Sequence, residues 1–392
     1  MMVAINWTCT IGATSFTSIT QSLSFGLGRS SIFDTWNGTN CTITVRNNTG
    51  QAANIRQGDI VTIGNNLSVK TLTFYAVEVT FQDNIAQNAN TATITARDAL
   101  GQIYSAIGNN DLILGINNSI DQAVELMTEI GYYPPNLPAT NPPGRAIISD
   151  IFDLTTVGER IGEILNTENS FYYYDGQAIE FRESAAPEFS ASTFTLDNTT
   201  GIVYSDLNRK YPNTNYPNDI RLTSTDVGQT IAVDETQYPR LYNRQVLFEQ
   251  AAQQQAQTDF FKAVFTQDDQ PYFDLIFNDS SQTSAKMTIW LDEIESIMGK
   301  CLDIIYVEPG VGNMTRRMVV EGATMSAVPG QSVWNVFLTP SVIYDMFTLD
   351  SSVYGVLGGD GIVYNQPEIN YDETGWVYND SNADDTASRL GW

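Results

Sequence analysis

The chain contains no histidine. That absence removes the one side chain that changes charge near neutrality, and with it the usual general base, the Ser-His and Cys-His nucleophile pairs and the commonest metal ligand. Cysteine is nearly as scarce. Cys9, Cys41 and Cys301 are too few and too scattered for a disulfide framework or a cysteine-rich zinc site, and read as buried thiols. Positive charge is also in short supply, with 19 Lys and Arg against 45 Asp and Glu and a formal net charge of -26. Because the carboxylates are spread along the chain, the body repels phosphate backbones, which argues against sequence-reading of DNA or RNA. No apolar run approaches membrane-spanning length. Residues 1–20 alternate Thr and Ser with apolar residues where a secretion signal would carry a basic start and an apolar block, so synthesis and retention in a reducing interior are expected.

What remains abundant is Asn, Thr, Ser and Gln, together with 19 Tyr and 18 Phe, while charged residues make up only 16% of the chain. That mixture favours strands and turns over long helices. At 392 residues, two or three domains of ordinary size are expected.

Strand periodicity dominates the first hundred residues. Cys41, Ile43 and Val45 alternate with Thr42, Thr44 and Arg46; Tyr75, Val77, Val79 and Phe81 alternate with Ala76, Glu78 and Thr80; Ala92, Ile94 and Ala96 alternate with threonines. Turn signals separate them at Asn48-Thr49-Gly50, Gln57-Gly58-Asp59 and Gly64-Asn65-Asn66. The pattern then changes. Ile120, Val124, Met127 and Ile130 take helical spacing behind a capping box at Ser119 and Gln122, and a second capping box at Thr156 and Glu159 opens a stripe of Val157, Ile161, Ile164 and Leu165. A proline-rich loop at 134–144 separates them. Asp175-Gly176 reads as a two-residue turn between aromatic strands. Further on, Phe260, Phe261, Val264 and Phe265 suggest a helix, 290–298 a helical turn closed by Gly299, and 302–307, 317–326 and 332–338 three strands. From 348 the chain is rich in Gly, Asp and Asn and too poor in apolar surface to fold alone. The expected fold is mainly β with a small α+β insertion: a first barrel-like domain at 1–105, an α+β domain at 106–218, a second barrel-like domain at 219–345 and an extended arm at 346–392.

Candidate chemistry is thin. A glycosidase needs only two carboxylates, and Glu293, Glu295 and Asp303, or Glu180 and Glu183, are candidates that a chain this acidic also produces by chance. Gly358-Gly359-Asp360-Gly361 and residues 379–385 crowd oxygen ligands without the spacing of a calcium loop. Gly26-Leu27-Gly28-Arg29 lacks the Lys-Ser/Thr of a phosphate cradle and reads as a turn between strands. Trp334 falls in a strand pattern and reads as core. Trp36, Trp376 and Trp392 fall in loop or tail and, with Arg29, are the candidate partner contacts. No catalytic residue, metal site or cofactor is expected.

The order of several short motifs carries more. Gly28, Arg29, Ser30, Asp34 and Trp36, then Gly38, Thr39, Thr44 and Asn47, then Arg56 and Gly58, then Ala96, Asp98, Ala99 and Leu100 resemble the N-terminal domain of siphophage minor tail proteins of the baseplate-hub type. VGERIGEILNTENSFYYYDGQAIEFRES, MVVEGATMSAVPGQSVWNVFLTPS and LDSSVYGVLGGDGIVY continue that resemblance in the same order. It implies no active site. It implies a homotrimeric hub with two barrel-like domains per subunit, located at the virion tail tip and assembled in the host cytoplasm. The implied neighbours are a distal tail or tail-tube ring above, the tape measure protein, and a central fibre or spike below. Carboxylates lining the lumen would let phage DNA pass without sticking. A hexameric distal tail protein and a tail-associated carbohydrate-binding or glycan-degrading protein are the alternatives.

Overall fold

The computed structural model describes residues 5–34, 38–84, 89–104, 112–114, 119–129, 150–152, 156–168, 171–174, 179–182, 194–196, 201–210, 217–233, 240–265, 272–308, 310–341, 356–358, 361–363, 370–371 and 378–379. The chain forms two compact units, Met1–Ser341 and Val342–Trp392.

The first unit begins with strands β1 (Trp7–Ile11), β2 (Thr14–Ser15), β3 (Thr20–Gly28), β4 (Asn40–Arg46), β5 (Ile60–Asn65), β6 (Leu72–Asn84) and β7 (Ala89–Arg97). Their alternation is the physical cause of the sheet. Cys41, Ile43 and Val45 of β4 and Ala92, Ile94 and Ala96 of β7 are buried on one face while threonines occupy the other. Helix α1 (Ala99–Tyr104), β8 (Leu112–Leu114), α2 (Ser119–Glu129), β9 (Asp150–Phe152), α3 (Val157–Glu168) and the hairpin β10 (Phe171–Tyr174) and β11 (Ile179–Arg182) follow. After β12 (Phe194–Leu196) and β13 (Asp206–Lys210) come β14 (Asp219–Ser224), β15 (Gly228–Val233), β16 (Leu241–Gln245) and α4 (Ala251–Phe265). The unit closes with β17 (Tyr272–Asn278), α5 (Ser284–Asp292), β18 (Cys301–Glu308), β19 (Gly312–Val328) and β20 (Gln331–Pro340).

The topology contains an internal repeat. In the first module the hydrogen-bonded order is β1-β5-β6-β7-β4-β3; in the second it is β12-β18-β19-β20-β17-β13. Replacing β1, β3, β4, β5, β6 and β7 by β12, β13, β17, β18, β19 and β20 converts one order into the other with chain order preserved. Even the irregularities match: β6 shifts register against β7 between Ala76 and Glu78, and β19 against β20 between Val320 and Gly322. The modules differ in that β1 runs antiparallel to β5 whereas the short β12 runs parallel to β18. A single 13-stranded sheet spans both modules because β3 pairs antiparallel with β19, Leu23 opposite Ala327 through Gly28 opposite Gly322. The curled faces share a core in which the ring of Trp334 lies 5.7 Å from Phe25, 6.1 Å from Trp7 and 5.5 Å from Trp290. Trp334 is fully buried, as its strand pattern suggested.

Several boundaries differ from those expected. Residues 194–210, expected with the α+β segment, pair into the second module through β12 and β13. Residues 219–265, expected in the second barrel, form a separate three-stranded sheet, β15-β14-β16, with α4 packed on it. The glutamines of α4 explain that attachment. Gln254 is buried and its Nε2 donates to the carbonyls of Leu222 and Gly228 at 2.8 Å each, fixing the helix to the sheet through its polar side. Thr156 and Glu159 make the expected reciprocal cap, with Thr156 N to Glu159 Oε2 at 2.8 Å and Glu159 N to Thr156 Oγ1 at 3.2 Å, and Val157, Ile161, Ile164 and Leu165 are buried. Ser119 and Gln122, expected as a capping box, also link α2 to α3, the first donating to Glu168 and the second accepting from Arg160. The β10–β11 register pairs Tyr174 with Ile179, and the turn expected at Asp175-Gly176 lies outside the described residues. Gly26 to Gly28 lie within β3, not in a turn. The second unit contains two short hairpins, Val356–Gly358 with Gly361–Val363 and Asn370–Tyr371 with Tyr378–Asn379.

Candidate functional site at the junction of the two modules

The residues that carried the family resemblance converge where β3 meets β19. Gly28 and Gly322 face each other in the ladder. A Cβ on Gly322 would lie 2.3 Å from the Leu27 carbonyl oxygen and 2.5 Å from that of Arg29, and one on Gly28, whose φ is +66°, 2.3 Å from the Glu321 carbonyl oxygen. Only glycine allows two backbones this close. The bulge that displaces Glu321 from the ladder turns its carboxylate toward Arg29, whose backbone N–H donates to the Glu321 carbonyl at 3.1 Å and whose Nε donates to Oε2 at 2.8 Å. The pair is buried, with side chains 6% and 1% exposed. The guanidinium also lies 5.8 Å from the ring centroid of Phe171 at the start of β10, so one cation ties both modules to the insertion.

Next to it, Phe33 sits in a cage of Tyr242, Phe265 and Tyr272 rings 5.1–6.0 Å away, and its carbonyl accepts a hydrogen bond from Arg244, whose guanidinium lies over the Tyr242 ring. Burial pushes the Tyr242 phenol above its ordinary range, against the pull of the Arg244 and Arg29 charges. A second glycine contact supports the base of the loop: a Cβ on Gly38 would lie 2.0 Å from the Cα of Gly101. There Asp98 opens α1, accepting from Gly101 N at 2.6 Å, while its own N–H donates to the Thr39 carbonyl at 3.0 Å. Burial raises the Asp98 carboxyl to about 6, opposed by hydrogen bonds from Gly101 and Thr39.

The other motif residues act locally. Ser30 Oγ donates to Asp34, Asn47 Oδ1 accepts from Ala52 N at 2.9 Å, and Gly58 turns at φ +88°. Arg29, expected at a partner surface, is inside the chain. Trp36, Trp376 and Trp392 lie outside the described residues. Glu321 was missed as Arg29's counter-ion; the signal was the Val-Glu-Gly triplet, whose acidic residue stands alone among apolar neighbours. The carboxylates considered for glycoside chemistry are engaged separately: Glu293 with Lys300, Glu295 with Lys70 at 2.7 Å and with Thr71 N at 2.9 Å, and Asp303 with Arg317 at 3.2 Å. The side chains of Glu180 and Glu183, Asp360 and 380–385 lie outside the described set. No cluster of three or more metal-ligating side chains occurs among the described residues. Cys9, Cys41 and Cys301 are buried and in no disulfide, and burial pushes Cys9 up to about 12 and Cys41 well above its ordinary value. No helix among the described residues is long and apolar enough to cross a membrane.

Comparison of the sequence with protein-family models and with curated proteins finds no match. Comparison of the fold does. A tail protein from Neisseria meningitidis MC58 superposes with a TM-score of 0.61 at 12% identity, covering 88% of this chain and 98% of its own. The 43 kDa tail protein of prophage MuSo2 from Shewanella oneidensis gives 0.55 at 8% identity, covering 86% and 98%. The Escherichia coli c3393 protein gives 0.50 at 10% identity, covering 85% and 74%; it is described as a component of the type VI secretion system with structural similarity to T4 tail proteins gp27 and gp5. The chain therefore has the fold of phage tail proteins over nearly its whole length.

Proposed function

We propose that the chain is a structural hub of a phage tail tip: a homotrimer whose six β-modules form a ring. The carrying observation is the internal repeat. Two modules of one topology in each chain let three copies present six similar units, matching a hexameric tail tube above while offering threefold symmetry to a central fibre or spike below. The distal tail or tail-tube ring and the tape measure protein are the neighbours on this reading. The residues that carried the resemblance support a scaffold without catalysis, since Arg29 and the buried Glu321 are spent on joining the two modules and Asp98 on capping α1. The net charge of -26 keeps a central passage from retaining DNA. Trp376 and Trp392 on the arm and Trp36 in the loop are the proposed contacts to neighbours. The test is mass measurement of the purified full chain in solution, followed by labelling of the tail tip in virions. Three times the 43.3 kDa chain is expected. Six copies would favour the distal-tail reading, and a monomer that binds or cleaves wall glycan would replace both.

A further inference from the structure

The repeat makes a prediction about where one copy meets the next. Inside the chain, the edge of β19 beyond its bulge is covered by β3. The equivalent edge in the first module is β6 beyond its own bulge, from Glu78 to Asp83. There β6 pairs with β7 on one side, its pairing with β5 ends at Tyr75, and no other strand lies beside it among the described residues. The strand equivalent to β3 is β13, which ends the sheet order at the far side of the second module.

Burial shows the same asymmetry. The bulge places Val79 and Phe81 opposite Ile94 and Ala92, on the core face of the sheet. Their counterparts on β19, Ala323 and Met325, are 0% and 1% exposed, yet Phe81 is 48% exposed and Val79 is only half-buried. A groove of about 280 Å³, lined in part by Ala52, Ile55, Val77, Val79 and Phe81, runs along this edge. An uncovered strand edge with apolar side chains on its core face is a template for another strand.

We infer that this edge receives β13 of a second copy, antiparallel, in the register that β3 takes on β19. Carried across the repeat, that register sets Leu207 opposite Asp83, Asn208 opposite Gln82, Arg209 opposite Phe81 and Lys210 opposite Thr80. The inference rests on the hub reading and specifies its subunit interface. Each copy then offers one β13 edge and one β6 edge, a head-to-tail contact that closes into a ring. Junctions within a chain and between chains alternate around that ring with the same strand geometry.

The test uses the full chain with Asn208→Cys and Gln82→Cys together, two exposed positions whose counterparts Ser24 and Ser326 are cross-strand neighbours. Neighbouring Cβ atoms on paired strands lie about 4.5–5.5 Å apart, close to disulfide reach, and diagonal ones about 7–8 Å. Because the native cysteines are buried, mild oxidation acts on the engineered thiols. Expected are covalent dimers and trimers on non-reducing gels, abolished by reductant, with yield several-fold above that of an offset control combining Asn208→Cys with Thr80→Cys. Circular dichroism matching the parent confirms the fold of both variants. A native trimer whose in-register pair cross-links no better than the offset control overturns the inference and leaves the hub reading standing. A chain that stays monomeric overturns both. A monomer whose 78–83 amides are nonetheless protected from hydrogen exchange assigns the edge to a segment of the same chain and also overturns the inference.

Discussion

Removing Arg29 should cost far more than removing Arg29 and Glu321 together. The pair has its Nε–Oε2 contact at 2.8 Å with both side chains almost fully enclosed. Arg29→Met leaves the Glu321 carboxylate in that enclosure without its guanidinium, and breaking a buried pair from one side costs about 3–5 kcal/mol. Glu321→Leu leaves the cation in the same position, beside Phe171. The double variant buries neither charge, and replacement of a buried ion pair by apolar residues of similar volume is neutral or stabilising by about 1–4 kcal/mol. The coupling between the two positions, the double-variant change minus the sum of the two singles, should therefore be at least about 6 kcal/mol in magnitude. Urea unfolding followed by the fluorescence of the buried Trp290 and Trp334 reads it, provided the denaturant slope is unchanged across the four proteins. Single variants each within about 1 kcal/mol of the parent, as measured for exposed pairs, would refute the claim that this pair locks the modules together.

Gly322→Ala should be among the most damaging single changes, exceeding about 4 kcal/mol or abolishing soluble expression, because its Cβ would meet three backbone atoms at 2.3–2.8 Å; the midpoint of thermal unfolding checks this. Asp98 should make the protein more stable in mild acid. Its folded carboxyl keeps a proton up to about 6 against an ordinary value of 3.8, so its contribution is complete below the lower value and is lost as pH rises through the upper one. That contribution is about 3 kcal/mol, and Asp98→Asn should flatten the profile between those pH values and stabilise the protein at pH 7, as urea midpoints at pH 4 and 7 would show. Thr156→Ala removes the acceptor for Glu159 N and should lower stability by about 1 kcal/mol, with loss of protection at the first turn of α3 in hydrogen exchange.

The strands were legible wherever one face is buried and the other is not: Cys41, Ile43 and Val45 announce β4 because threonines fill the intervening positions. The core face of β6 was misread for a physical reason. Tyr75, Val77, Val79 and Phe81 alternate faithfully in sequence, but the bulge at Val77 exchanges the faces partway along, so that Phe74 and Ala76 point inward before it and Val79 and Phe81 after it. Periodicity has no term for an inserted residue. The module boundary failed differently. Nothing local distinguishes β13 from β14, and their assignment to different sheets depends on partners more than fifty residues further along the chain in one case and on adjacent strands in the other. The arginine at the junction was visible as a motif, yet its role was not, since its counter-ion lies 292 positions away.

That separation also has a consequence in time. The β3 edge waits for β19, which is made nearly 300 residues later, and at about 5–20 residues per second the delay is roughly 15–60 s. For that interval the nascent first module carries a sticky flank that the finished molecule conceals. Mutual repulsion among carboxylates on neighbouring nascent chains is what the sequence offers against aggregation on the ribosome.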